Sequence, residues 1–155
     1  MHLEIHCDGS CKFNPGRGGY ALIIVKNNKV IDIKQAYSPM TTNNQMELLA
    51  IRDAIIYCIE ENISQCKIYS DSQYSVNGIN EWMHRWKNKN WTSSQHKTIK
   101  NIELWKEVEA IWNQATQKLN ISLHYEKGHS DNVYNNLADK KANEIIDIYD
   151  KLQDK

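Results

Sequence analysis

The chain has 155 residues, and 19 Lys and Arg balance 19 Asp and Glu, so its formal net charge at pH 7 is zero. Its 41% hydrophobic and 25% charged residues are typical of a globular domain, and we expect one domain over residues 1–155. The longest apolar run, Tyr20 to Val25, is far shorter than the roughly 20 residues that cross a bilayer, and no secretory signal is visible, so we expect no membrane partner.

The first predicted elements form a meander. Apolar and polar residues alternate from Leu3 to Cys7, as in a half-buried strand. A turn-rich stretch follows, from Gly9 to Gly19. Residues 20–26 and 29–37 are rich in β-formers and are separated by Asn27-Asn28, which predicts a two-residue hairpin because Asn tolerates positive φ.

Helices and strands alternate in the rest of the chain. The pattern "TTNNQMELLAIRDAIIYCIEE" predicts a helix that Asn43 or Asn44 can cap. The later elements are a strand at 66–70, a helix from near Ser72, a helix at 103–117, a strand at 119–125 and a helix at about 135–152. This order predicts an α/β fold with a five-stranded mixed sheet, a three-strand antiparallel meander plus parallel strands, flanked by helices.

The four cysteines lack metal-site spacing. They are at positions 7, 11, 58 and 66, without a C-x-x-C pair or a zinc-finger grouping. Cys7 and Cys58 lie in apolar patterns typical of core residues. Free thiols of this kind indicate a reducing compartment, and we therefore expect a cytoplasmic location.

Four acids stand apart from ordinary surface charge. Asp8 and Asp71 each follow a predicted strand, and they meet at one sheet edge if those strands are parallel neighbours. Glu47 falls in the first turn of its helix, where a capping-box role is the alternative. Asp139 borders the apolar face of the last helix. Each acid alone is compatible with a cap or a solvated edge, so the interpretation depends on whether they converge.

Convergence of these acids would require cations. Two unit charges about 4 Å apart repel by roughly 4 kcal/mol at an effective dielectric constant near 20. Two divalent ions would cancel four negative charges, and carboxylate oxygens suit Mg²⁺ or Mn²⁺. Paired ions of this kind clamp a phosphodiester during in-line displacement. A real quartet would therefore indicate phosphodiester hydrolysis.

Five stretches carry a family resemblance. They are "DGSCKFNPGRGGYA" (8–21), "TTNNQMELLA" (41–50), "SDSQYSVNGINEW" (70–82), "NKNW…KNIELW" (88–105) and "KGHSDNVYNNLADKKA" (127–142). In this order and spacing they resemble type 1 ribonuclease H in its bacterial form. The resemblance implies the ribonuclease H-like fold and a monomeric endonuclease that cuts the RNA strand of RNA–DNA hybrids. It also implies a two-metal-ion mechanism that leaves 5′-phosphate and 3′-hydroxyl ends. Because the first motif begins at Asp8, we expect no additional hybrid-binding domain before it.

The resemblance assigns catalytic roles by motif. Asp8, Glu47, Asp71 and Asp139 match the carboxylates that hold two Mg²⁺ ions, for which Mn²⁺ can substitute. His129 matches a loop histidine that helps proton transfer or product release. The loop 130–136 departs from the family, because it lacks a Gly and an acid, with Asn136 in the acid's place. This departure bears on the loop's mobility and on any further metal contact, not on the quartet.

The resemblance also assigns substrate contacts. The turn-rich stretch is not a phosphate loop, since G-x-x-x-x-G-K-[ST] is absent and "GRGGYA" leads into a strand. Short polar side chains would instead hydrogen-bond 2′-hydroxyls and base edges in the shallow minor groove of a hybrid. The residues so assigned are Cys11, Asn14, Asn43, Asn44 and Gln73, with Thr42 on a phosphate.

Residues 80–101 form a basic arm. It holds five cations, Arg85, Lys87, Lys89, Lys97 and Lys100, against one acid, Glu81. Trp82, Trp86 and Trp91 interleave with them, as on surfaces that follow a nucleic-acid strand. The family's basic protrusion lies here and holds the DNA strand, which assigns Trp82, Trp86, Lys87 and Lys89 to substrate binding with steep salt sensitivity. The alternative is that Trp82 and Trp86 pack against Trp105.

Two other functions compete with hybrid cleavage. A strand transferase of the transposase or integrase type would carry three acids and further DNA-binding domains. A hybrid-binding module without catalysis would have no need to retain the quartet of Asp8, Glu47, Asp71 and Asp139. Cleavage assays on hybrid, duplex DNA and duplex RNA separate the three.

Overall fold

A five-stranded mixed sheet forms the centre of the computed structural model, which describes residues 2–92, 99–127 and 132–153. The strand order is β3-β2-β1-β4-β5, antiparallel between the first three strands in sequence and parallel from β1 through β4 to β5. The predicted sheet is therefore confirmed. The strands are β1 (His2–Cys11), β2 (Gly16–Lys26), β3 (Lys29–Thr41), β4 (Gln65–Ser70) and β5 (Asn120–Tyr125).

Helices cover both faces of the sheet. They are α1 (Asn43–Glu60), α2 (Gln73–Asn77), α3 (Met83–Asn88), α4 (Ile102–Lys118) and α5 (Val133–Gln153). The backbone runs from α2 into α3 through a π-helical turn, Gly78–Trp82, so the two form one interrupted helix. A Cβ at Gly78 would overlap the ring of Trp105, so the glycine lets α4 pack closely on this turn. None of the helices in the described ranges is long and apolar enough to cross a membrane.

The first two strands are longer than predicted. β1 continues to Cys11 and β2 begins at Gly16, so Gly18 and Gly19 lie in a strand rather than in turns. Asp8 is likewise inside β1, opposite Ala21, and does not end the strand. Glycine has little intrinsic preference for strands, but pairing with β1 and β3 on both sides supplies the hydrogen bonds that hold it there.

The hairpin between β2 and β3 is confirmed. Asn27 and Asn28 have φ of 51° and 62°, and Lys26 pairs with Lys29 across the turn. Asn tolerates this left-handed conformation better than other non-glycine residues. The sequence pair therefore sets the register next to the turn, and a β-bulge between Ile24 and Val25 shifts it farther along the strands.

Helix α1 is capped one residue earlier than predicted. Thr42 has extended backbone, and its side-chain oxygen accepts a hydrogen bond from the backbone N–H of Gln45 at 3.2 Å. Asn43 and Asn44 are the first two helical residues, so the prediction that one of them is the cap is wrong. Glu47 consequently lies in the second turn, beyond the capping-box position, which Gln45 occupies.

The two faces of the sheet have different cores. Leu3, Ile5 and Cys7 belong to the main core, together with apolar residues of α1 and α4. On the opposite face Ile23 and Val25 pack with Ala138 of α5. The predicted core thiols are confirmed, because Cys7 and Cys58 are free and buried, as is Cys66. Alternation along β1 therefore turns His6 and Asp8 toward the α5 side.

We expect Thr42→Ala to lower the free energy of unfolding by about 1 kcal/mol, because it removes the side-chain acceptor of the α1 cap. Urea denaturation would measure the change. Thr42→Ser, which keeps the hydroxyl, should retain most of the stability, and Asn43→Ala and Asn44→Ala should each stay within about 0.5 kcal/mol of the parent. A larger loss in either Asn variant than in Thr42→Ala would contradict this cap assignment.

Candidate active site

The parallel pairing of β1 and β4 creates the site. Cys7 lies opposite Ser70 at the last paired position, so the next residues, Asp8 and Asp71, extend from neighbouring strands at the same edge. β5 ends at the same level, since Tyr125 also pairs with Ser70. The carboxyl ends of three parallel strands therefore meet where ligands bind in sheets of this kind.

Gly9 brings a helix into the same place. A Cβ on Gly9 would lie 2.5 Å from the backbone N of Glu47 and from the carbonyl carbon of Met46, so only glycine permits this approach of β1 to α1. The N–H of Gly9 donates to Asp8 Oδ1 at 2.9 Å and also to the Glu47 carboxylate. One backbone amide therefore orients two acids.

Three carboxylates converge at this edge. One oxygen from each of Asp8, Glu47 and Asp71 lies within 4.8 Å of the other two. Asp8 is 4% exposed and Glu47 is 8% exposed, whereas Asp71 is half-buried. Two acids of the cluster are thus buried and Asp71 is partly accessible to solvent, so a ligand could reach the cluster from the side of Asp71.

Asp139 approaches the cluster from α5. It lies in the second turn of that helix, and its negative charge contributes to the raised pKa of Asp8. Asn143, one turn later, donates its amide to the Asp139 carbonyl at 2.9 Å and to the Asp139 carboxylate at 3.3 Å. Asn143 also accepts from Ser10 Oγ at 2.8 Å, which ties α5 to β1. The structure therefore brings three of the four predicted carboxylates within 4.8 Å of one another, and Asp139 lies outside that group, on the side of Asp8.

Burial and the charges of neighbouring acids oppose ionisation of Asp8 and Glu47. Burial raises the pKa of Asp8 to about 8, and the charges of Asp71 and Asp139 add to the shift. A hydrogen bond with Glu47 opposes it. Burial likewise raises the pKa of Glu47 well above its usual value, and the charge of Asp8 contributes. A cation would remove this penalty, and hard oxygen donors suit a divalent ion such as Mg²⁺, so the donor set fits the predicted metal.

A polar patch lies beside the carboxylates where β1 turns into β2. Asn14 Oδ1 accepts from the backbone N–H of Asn43 at 3.1 Å, and Cys11 Sγ donates to the Thr41 carbonyl at 3.3 Å. These bonds hold the 12–15 turn against the start of α1. Five of the predicted substrate contacts therefore share one surface, which we call the loop–helix patch: Cys11, Asn14, Thr42, Asn43 and Asn44.

Gln73, the fifth predicted minor-groove contact, begins α2 and is exposed. Ser72 caps this helix by accepting from the Ser75 N–H at 3.1 Å. The predicted helix start near Ser72 is therefore confirmed. Gln73 follows Asp71 by two residues, which keeps it close to the carboxylates along the chain.

The basic arm is anchored to the core. The ring of Trp86 packs edge-on against Trp105 at 5.3 Å, and Trp82 contacts Trp86 at 6.2 Å and Tyr74 at 6.0 Å. The alternative, in which both tryptophans pack against Trp105, therefore holds for Trp86. Trp82 instead contacts Trp86 and Tyr74, which both contact Trp105. Both tryptophans remain half-buried, so part of each side chain is still accessible to solvent.

The lysines of the arm differ in their pairing. Lys87 Nζ lies 2.8 Å from Oε1 of Glu109, a buried carboxylate on α4, so its charge is partly used within the protein. Lys89 is exposed at the end of α3. The arm therefore offers less net positive charge than the sequence count indicates. Lys97 lies outside the described residues.

His129 also lies outside the described residues, with the neighbouring positions 128, 130 and 131. Helix α5 begins at Val133, two residues earlier than predicted. Asn132 supports this start, since its side chain accepts from the Asn135 N–H at 2.8 Å.

Two residues of the site gave no clear sequence signal. Ser10 and Asn143 fasten Asp139 to β1, yet they are 133 positions apart and meet only because α5 crosses β1. The i, i+4 spacing of Asp139 and Asn143 was the one available indication, since it places both on one helix face.

Comparison with known proteins identifies similar sequences that share one family name. The family model described as RNase H matches residues 1–147. A protein named Ribonuclease H from Chlorobium luteolum is 39% identical over 145 residues, 93% of this chain and 94% of the relative.

Solved structures share the fold. The RNase H domain of PFV superposes with a TM-score of 0.78 at 20% identity, over 92% of each chain. LC11-RNase H1, solved in complex with an RNA/DNA hybrid, gives a TM-score of 0.70 at 19% identity, over 95% of this chain and 98% of that one.

We expect the metal-free protein to lose stability as pH rises from about 5 to 8. Between the ordinary value of 3.8 and about 8, Asp8 is protonated when folded and ionised when unfolded. Unfolding then releases a proton, so the free energy of unfolding falls by up to about 1.4 kcal/mol per pH unit from this group. The stabilising effect is full below pH 4 and is lost as pH passes the folded pKa.

Asp8→Asn should reduce this slope and raise Tm at pH 8, and Mg²⁺ should flatten the slope of the parent protein. Thermal unfolding in chelator and in Mg²⁺ would measure both. Asp32→Asn, at an exposed position on β3, is the matched control and should keep the parent's pH dependence. A metal-free Tm that stays constant from pH 5 to 8 would contradict the crowding of these acids.

Proposed function

Because the chain belongs to the ribonuclease H family, we propose that it is an endonuclease that hydrolyses the RNA strand of RNA–DNA hybrids and leaves 5′-phosphate and 3′-hydroxyl ends. The observation that carries this proposal is the convergence of Asp8, Glu47 and Asp71 at a strand edge, with oxygens within 4.8 Å of one another. Asp139 adds a fourth acid beside Asp8. Repulsion within such a cluster destabilises the metal-free fold, and bound cations would offset this destabilisation.

We assign the four acids to a pair of Mg²⁺ ions, for which Mn²⁺ can substitute. Asp8 and Asp71 would hold the ions nearest the scissile phosphate, Glu47 would complete the first and contact the 2′-hydroxyl region, and Asp139 would complete the second. When bound, the ions supply the Lewis acidity that activates water and stabilises the departing oxygen. The Gly9 amide and the Asn143 side chain keep the acids oriented before the substrate arrives.

The loop–helix patch would select the hybrid. Asn14, Asn43 and Asn44 are exposed amides that can both donate and accept hydrogen bonds, which matches a ribose 2′-hydroxyl. Gln73 offers the same chemistry at the start of α2. These contacts are tolerant of base sequence, because sugars rather than base patterns are recognised. A duplex of two DNA strands lacks the hydroxyl partner.

The basic arm would hold the DNA strand. Lys87 and Lys89 are exposed, so both can reach phosphates, and the half-buried Trp82 and Trp86 would contact the sugars. Trp86 also fixes the arm on Trp105, so the surface is positioned before binding. Binding should weaken with salt, because phosphate contacts release counterions.

His129 would assist proton transfer or product release, since an imidazole titrates near neutral pH.

We also propose that residues 1–155 act as one catalytic domain, as a monomer and in the cytoplasm. The free thiols of Cys7, Cys58 and Cys66 are consistent with a reducing compartment.

Asp71→Asn should reduce hybrid cleavage on the order of 10³-fold or more, because it removes a charge that the reaction's cations require. The protein should still fold and still bind hybrid. Cleavage of an end-labelled hybrid in Mg²⁺ would measure the loss, with fluorescence anisotropy for binding. Asp32→Asn is the control and should cleave at the parent rate. Turnover by Asp71→Asn close to the parent's would contradict the assignment.

The same assay distinguishes the competing functions. Matched hybrid, duplex DNA and duplex RNA are each incubated in Mg²⁺ and in chelator. Cleavage of the hybrid alone, only with metal, supports the proposal, and alkaline phosphatase sensitivity of the downstream product identifies its 5′-phosphate. Cleavage of duplex DNA would indicate a strand transferase, and binding without cleavage would indicate a hybrid-binding module.

A further inference from the structure

Phe13 has an unusual environment for the chain's only phenylalanine. Its side chain is 79% exposed, more than any other large apolar side chain in the described ranges. Its backbone has a φ of 56°, in the left-handed region that favours glycine. A bulky residue in this conformation costs backbone energy, and its exposed ring gains little from burial. The fold therefore gains nothing evident from a phenylalanine here, and strain of this kind often accompanies function.

The segment that carries Phe13 is held from both sides. Lys12 donates from its backbone N–H to the Arg17 carbonyl at 2.7 Å, and its Nζ lies 2.7 Å from Asp147 of α5. Arg17 Nε lies 2.6 Å from Asp150, and its guanidinium carbon lies 5.8 Å from the centroid of the Phe13 ring. The ring thus projects from a braced turn, and a preorganised contact loses little conformational entropy on binding.

The segment that carries the ring adjoins the surface proposed to meet the substrate. Phe13 immediately precedes Asn14, whose side chain is bonded to the start of α1. Met40, 69% exposed, immediately precedes Thr41, whose carbonyl is bonded to Cys11. Two exposed apolar side chains therefore occur in the two segments that form the loop–helix patch. Proteins that bind a minor groove often place apolar side chains beside polar ones.

We propose that Phe13 packs against the sugar and base edges of the bound RNA–DNA hybrid in its minor groove, next to Asn14, with Met40 alongside. This inference rests on the proposed function and extends it, because it names an apolar contact that determines affinity. Phe13 contacts the substrate away from the reacting phosphate. The contact is therefore equally strong in the ground-state enzyme–substrate complex and in the transition state. Its loss should therefore raise KM and leave kcat unchanged.

Phe13→Gly separates a binding role from a structural one. It removes the ring and relieves the left-handed backbone, so Tm should stay equal or rise. KM for a short hybrid should rise about fivefold or more, in line with the loss of an aromatic contact to nucleic acid. Phe13→Tyr keeps the ring and should restore the parent KM. A structural role would give the opposite pattern, with a lower Tm and an unchanged KM.

A binding measurement makes the test independent of catalysis. In the Asp71→Asn background, fluorescence anisotropy with the same hybrid in Mg²⁺ should show weaker binding after Phe13→Gly by the same factor as the KM change, and parent-like binding after Phe13→Tyr. Equal affinity with and without the ring would overturn the inference, whether or not the parent cleaves. A parent that binds hybrid but does not cleave it would overturn the proposed function alone, and the anisotropy comparison would still decide the role of Phe13.

Discussion

The mutual repulsion of buried carboxylates at the β1–β4 edge is the constraint on which the site depends. Asp8 and Glu47 are nearly inaccessible to water, a carboxylate oxygen of Asp71 lies within 4.8 Å of both, and the charge of Asp139 acts on Asp8. Water cannot screen charges in this position, so the metal-free site favours protonated acids. The fold nevertheless contains several devices that hold the acids together: the parallel register, the absence of a side chain at Gly9, and the Asn143 contact to Ser10. These features are best explained by a cation that supplies the missing charge.

The surface proposed to bind the substrate consists of segments that are fixed to the helices beside this cluster. The 12–15 turn is fastened to α1 by Asn14 and to α5 by the ion pairs of Lys12 and Arg17. On the other side of α2, the arm is anchored by the contact of Trp86 with Trp105. In the proposed complex, this surface of exposed amides, an exposed ring and a few cations would recognise the sugar and phosphate backbone, which every sequence shares. Specificity for base order is not required of it.

Local patterns in the sequence were sufficient for most of the fold. Asn27-Asn28 predicted the hairpin because only two residues separated two β-rich runs, and the ends of the first and fourth strands pointed to Asp8 and Asp71. The cap of α1 was misplaced because Thr42, Asn43 and Asn44 are all good capping residues, and only backbone geometry distinguishes them. The glycines after Asp8 were interpreted as turns because glycine disfavours strands, whereas tertiary pairing overrides that preference at Gly18 and Gly19. Asn143 and the pairing of Lys87 with Glu109 depend on how distant segments cross, which no local pattern reports.

Carboxyl carbon chemical shifts, followed by NMR through a pH titration, test the central claim most directly. In metal-free protein we expect the Asp8 carboxyl to titrate near pH 8 and Glu47 well above its usual range. Addition of Mg²⁺ should move both titrations to much lower pH, because the cation favours the ionised forms. Ordinary carboxyl titrations for both residues in the absence of metal, unchanged when Mg²⁺ is added, would contradict a buried acid cluster built to hold cations.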